Sequence, residues 1–184
     1  MTTVSTPLLA QASGITINVM TLMDVGAILR AYPNPSKDPT KPTAIGHSNI
    51  WMVSDDPRGW VFGSDPANIT LNANVGDWLS FYCSSTDDNS DYAAFIYQIA
   101  GGTPVLNPSS VNVITRTGAA QPTAPNGYPF KNAPVSYSSC DAKVSQQGTA
   151  KNFWAYAALF QLGADGETQN LAGYVGWDPT VVVK

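Results

Sequence analysis

At 184 residues the chain has room for one domain with a core of its own. Charged residues make up only 12%, about half of the usual ~25% share. Nine Lys and Arg, spread thinly in a chain of net charge −4, leave no basic patch for nucleic acid, and no run reaches the ~18 apolar residues of a bilayer-crossing helix.

Few charges mean weak repulsion between copies, so the composition favours self-association, and a homo-oligomer of two or more copies is expected. The acidic residues are almost all Asp, a turn and cap residue, which argues against a helical protein; fourteen Pro and fifteen Gly point the same way. Residues 1–13 lack the basic start and apolar run of a secretory signal and are expected to be a flexible tail. The expected compartment is then the cytoplasm, where Cys83 and Cys140 would be reduced. Spacing alone does not say whether the two could pair.

Residues 14–184 are expected to form a single domain. Gly14–Met23 alternates as a strand, with Ile15, Ile17 and Val19 on one face. Asp24 can cap one short helix near residues 24–32, which the prolines after Tyr32 must stop. The proline-rich segment to Pro42 reads as rigid and extended. Gly46–Ser54 and Trp60–Gly63, flanking the turn Asp55–Gly59, predict a hairpin. Ile69–Asn72, Trp78–Ser84 and Tyr92–Ile99 read as three strands joined by two turns, forming a sheet core. The first turn is Val75-Gly76-Asp77 and the second is the acidic Ser84–Asp91. A further strand is expected at Val111–Thr115. Gly118–Pro134 reads as a long loop and Val135–Tyr137 as a short strand. Phe153–Leu162, Ala172–Trp177 and Thr180–Val183 follow as strands. About eight to ten short strands between turns make an all-β protein, an antiparallel β-sandwich of Greek-key or jelly-roll type.

Several stretches together resemble the AidA/PixA family of bacterial inclusion-body proteins. They are Asp24–Pro35 (DVGAILRAYPNP), Pro42–Val53 (PTAIGHSNIWMV), Leu71–Trp78 (LNANVGDW), Asp91–Ile99 and Gly173–Thr180 (GYVGWDPT). The resemblance runs from about Ile15 to the C-terminus. It implies a bacterial, non-enzymatic protein of the quorum-regulated or inclusion-forming type, acting by self-association and ligand binding. Inclusion-forming members can be methionine-rich. This chain has four Met, so a sulfur store is not implied.

Candidate chemistry is sparse. Asp87, Asn89 and Asp91 have the spacing of the early ligands of a calcium loop, and Asp88 adds an oxygen, so Ca²⁺ is the one cofactor the residues suggest. An EF-hand is excluded, because Tyr92 stands where Gly is needed and Gln98 where a bidentate Glu belongs. The competing reading is a solvated loop that caps its own backbone. His47 is the single histidine, which excludes blue copper and leaves zinc short of ligands. An enzyme would have to use His47 as its base, but the plainer expectation is that it bonds a loop carbonyl and anchors the proline-rich segment. Five Trp and eight Tyr supply aromatic surface, and a carbohydrate-binding module, calcium-assisted or not, is the alternative function. His47, Trp60, Trp177 and Asp178 are its candidate ligand-binding residues. Asp178 has a competing role as the turn-starting residue before Pro179.

Overall fold

A computed structural model describes residues 14–184; the expected tail, 1–13, lies outside the described residues. The fold is all-β with one short helix, as the sequence predicts. The elements run in order β1 (Thr16–Met23), α1 (Val25–Ala31), β2 (Thr43–Ala44), β3 (Ile50–Ser54), β4 (Trp60–Phe62), β5 (Ile69–Leu71), β6 (Trp78–Ser85) and β7 (Tyr92–Ala100). Then come β8 (Ser110–Gln121), β9 (Lys131–Lys143), β10 (Gly148–Thr149), β11 (Trp154–Leu162), β12 (Gln169–Trp177) and β13 (Val181–Val183).

These strands form three sheets packed like a sandwich, in the orders β3-β1-β6-β9-β8, β10-β13-β5-β4 and β2-β12-β11-β7. Most pairs are antiparallel, but β1–β6, β2–β12 and β5–β13 are parallel, so the sheets are mixed. Alternation sets the core: Ile17, Val19 and Met23 of β1 and Leu79 and Phe81 of β6 turn inward to meet Ile69, Leu71, Leu159, Val175 and Trp177. The helix starts as expected, with the Asp24 side chain accepting from the Ala27 N–H at 2.8 Å.

Three expectations are corrected. The strands of residues 69–99 do not form one sheet: β5, β6 and β7 each enter a different one. Short turns can change direction without pairing the strands they join, and pairing is decided by partners far along the chain. Nor do β3 and β4 make a hairpin. β3 pairs β1, and β4 pairs β5. The turn between them is held instead by buried Asp56, which accepts from the N–H groups of Arg58 (3.0 Å) and Asn72 (2.8 Å).

The third correction is the largest. The stretch 118–134 is no long loop, because β8 runs on to Gln121 and β9 begins at Lys131. Together they form a hairpin that extends well past the sheet. A register shift between Arg116 and Ala119 bends it. Pro134 is tolerated inside β9 because β6 pairs only with residues 140–143, so no third strand needs the missing N–H.

Candidate functional site

The stretches that looked most distinctive come together in space. The proline-rich segment clasps β12. The Tyr174 N–H donates to the Ser36 carbonyl at 2.7 Å, the Ile45 N–H to the Gly176 carbonyl at 2.9 Å, and Lys37 Nζ to the carbonyls of Leu171 and Ala172 at 2.8 Å. Gly173 is required there: a Cβ would stand 2.6 Å from Pro35 Cγ, and its φ of +150° suits glycine. The PNP and GYVGWDP stretches are therefore two halves of one structural clasp.

His47 ends that clasp. It bonds no loop carbonyl, contrary to expectation. Its Nδ1 lies 2.6 Å from Asp65 Oδ2 and its Nε2 3.4 Å from Asp178 Oδ1. Three loops, before β3, before β5 and before β13, are thus tied by one half-buried imidazole between two carboxylates. Desolvation opposes ionisation of Asp65, but the Ala67 N–H and His47 outweigh it and hold the carboxyl below its ordinary value. No hydroxyl or thiol among the described residues bonds His47, so the pair a nucleophilic site needs is not assembled there.

The candidate aromatic platforms separate. Trp177 is 0% exposed, the largest fully buried side chain, and offers no face to a ligand. It is packed because Val175 and Trp177 share the inward face of β12. Trp60 is half-buried against the core and meets Phe62 edge-to-face at 5.1 Å. Asp178 is exposed and its carboxylate, among the described residues, reaches only His47.

The acidic loop is bound to itself. Asp87 accepts from the Ser85 hydroxyl, the Asp91 N–H (3.2 Å) and the Tyr92 N–H (2.9 Å). Asn89 Oδ1 accepts from the N–H groups of Ser85 (2.8 Å) and Ala94 (3.0 Å). Asp88 and Asn89 both take left-handed backbone, with φ of 58° and 57°. No three His, Cys, Asp or Glu side chains converge on a common point among the described residues. Desolvation works against ionised Asp87, yet its three donors prevail and hold its pKa low. A carboxyl depressed in the folded state contributes stability above about pH 4 and loses it as pH falls through its folded pKa. Urea titrations from pH 6 to pH 2 should therefore show a shallower acid loss of stability in Asp87→Asn than in the parent.

Both cysteines are free thiols. Burial pushes Cys83 and Cys140 upward, so neither is a ready thiolate.

The feature that sequence reasoning missed is the β8–β9 arm. β8 is the edge of its sheet, and every residue from Ser110 to Gly118 is exposed. Val111, Val113 (63% exposed) and Ile114 stand in solvent, as do Tyr128 (70%) and Phe130 (68%) at the tip. Arg116 is the only charge in twelve residues of β8, and the strand contains no Pro or Lys, two of the usual protections of an open edge. The signal was available in Val111–Thr115, an uncharged β-branched run followed by a polar Gly- and Pro-containing stretch.

The family model for PixA, described as inclusion body protein, matches residues 15–183. The crystal structure of an inclusion body protein (PixA) from Burkholderia cenocepacia J2315 is similar at a TM-score of 0.79 and 25% identity, covering 97% of this chain and 100% of that one. No curated protein matches the chain.

Proposed function

Since the chain belongs to the PixA family of inclusion body proteins, we propose that it works without catalysis, by associating with copies of itself into a dense intracellular body. The observation that carries this reading is the open edge of β8. Its unpaired N–H and C=O groups can template a strand from a second copy, and Val111, Val113 and Ile114 would be covered in the process. Two β8 edges meeting antiparallel about a two-fold axis would join two sheets into one. The register shift at Arg116/Ala119 limits the flat part of the edge to Ser110–Arg116, so the pairing is short and closed. Growth beyond a dimer then needs a second contact, and the aromatic arm tip with Tyr128 and Phe130 supplies apolar surface for it. With 12% charged residues, little repulsion opposes dense packing.

Sedimentation velocity over a wide concentration range tests the proposal. The expected result is a mass that rises with concentration through a dimer. A single monomer boundary at every concentration would overturn it.

A further inference from the structure

The outer face of the five-stranded sheet carries a trough that ends at the acidic loop and that neither the clasp nor the β8 edge uses. In the strand register Val53 lies beside Met20, and Met20 beside Tyr82. This row points away from the core, because the flanking Val19, Met52 and Phe81 are the buried members of those strands. Tyr137 of β9 joins it, and two cavities of about 500 and 490 Å³ share Met20, Tyr82 and Tyr137, so they form one continuous trough. Asn18 and Asp55 bound one end. Ser84, Asp88 and Asn89 bound the other, where Phe95, Gln121 and Ser138 add walls.

The lining selects a class of ligand. No Lys, Arg or His lines either cavity, so a phosphate or carboxylate would find no counter-charge. The floor is apolar and aromatic, yet polar groups stand at both ends, which does not suit a purely apolar molecule. Asp55 is already engaged by Asn18, whose N–H and side-chain amide donate to it at 2.7 and 2.5 Å. At the other end Asp88 accepts no hydrogen bond from the described residues, and Asn89, with its oxygen occupied by Ser85 and Ala94, keeps its amide N–H₂ to donate. A flat apolar floor with neutral donors and one open carboxylate fits a molecule with a C–H face and a rim of hydroxyls.

We propose that this trough binds a neutral saccharide. Tyr82 and Tyr137 cover the apolar face of one sugar ring, while Asp88, Asn89, Gln121 and Ser138 hydrogen-bond its hydroxyls. The site does not use the outer edge of β8, so it stands or falls independently of self-association.

The full chain would be titrated calorimetrically with methyl glycosides of glucose, galactose, mannose, fucose and N-acetylglucosamine, and screened on a glycan array. At least one neutral sugar should bind. Tyr137→Ala, at an exposed position, and Tyr82→Ala should each weaken it about tenfold or more, whereas Tyr82→Phe should keep most of the affinity. Thermal unfolding checks that each variant is folded, and repeating the titration on Val111→Lys, which lies on the same open edge but lines neither cavity, separates sugar binding from assembly. Three results would overturn the proposal. They are no glycan bound at about 10 mM, a weak limit on the affinity scale, binding untouched by both tyrosine variants, and preference for an anionic or trimethylammonium probe. Loss of self-association alone in Tyr137→Ala would also overturn it, by assigning the trough to a second copy of the chain.

Discussion

Replacing Val113 and Ile114 by lysine is expected to turn a concentration-dependent assembly into a monomer while leaving the fold intact. Consecutive strand residues point to opposite faces, so the pair places a charge on each side of β8. Both side chains are exposed in the single chain, so the substitutions remove no core contact, and the melting temperature of the monomer should be close to that of the parent. In an assembly the same positions would be covered. Two like charges on each copy would then meet their symmetry mates across a two-fold axis and lose water in doing so. Affinity between copies should fall by about a hundredfold or more, roughly 2.7 kcal/mol. Sedimentation velocity at matched concentrations measures this directly. An unchanged association constant would place the contact elsewhere, and a variant that fails to refold would show that β8 is held by its own sheet more than its exposure suggests. Lysine at Val61 and Phe62, which are also exposed but lie on the short edge strand β4, is the internal control: assembly should survive it.

What could be read from the sequence was local. Alternation placed β1 and β6, a nearly continuous apolar run placed β7 and aromatic content placed β11, all near their true bounds, and Asp24 with the prolines after Tyr32 fixed both ends of α1. These signals lie within one segment and need no partner. Pairing was not legible, because it joins residues far apart: Thr16 meets Trp78 in parallel across sixty-odd positions, and nothing in either strand names the other. The arm was hidden for a related reason. Gly118, Ala119 and Pro134 weaken the strand signal, and what keeps them extended is the facing strand. For the candidate sites, inventory outran geometry. His47 was singled out as the single histidine, but Asp65 and Asp178 lie 18 and 131 residues from it, so only the fold could reveal the carboxylate pair. Trp177 beside Asp178 suggested a sugar platform. The inward alternation of Val175 and Trp177 was in the sequence and pointed to the core instead. The acidic loop was readable as a self-capping turn, since Asp and Asn bond backbone a few residues away.

Truncating Asp77 should be the most damaging change at a turn of this chain. The sequence marks Asp77 as a turn residue after Gly76, and it does accept from the Asn74 N–H at 2.7 Å. It also accepts from the Ile15 N–H at 2.9 Å, 62 residues away, and its second oxygen pairs with Arg58 Nη2. Asp77 is 2% exposed, so this one carboxylate anchors the start of β1, the turn into β6 and the loop between β3 and β4. Arg58 in turn lies 3.4 Å from Asp56, which is also buried. Two acids therefore depend on one guanidinium. Asp77→Ala leaves two N–H donors without their acceptor and takes from Arg58 the closer of its two carboxylates, Asp56 remaining at 3.4 Å. Leaving two buried N–H donors unpaired and weakening the ion pair of a part-exposed Arg58 costs about 2–4 kcal/mol, a large part of the total stability of an ordinary domain. Urea unfolding should show the midpoint falling with little change in slope. Asp77→Asn keeps an oxygen for the N–H groups and loses only the charge, so it should fall between Asp77→Ala and the parent. The sharper measurement is the double-mutant cycle with Arg58→Met. If the ion pair rather than the turn bonds sets the loss, the double variant should be less destabilised than the sum of the singles by more than about 1 kcal/mol. Strict additivity would assign the loss to the Ile15 and Asn74 hydrogen bonds, and would make Asp77 a backbone anchor that Arg58 merely covers.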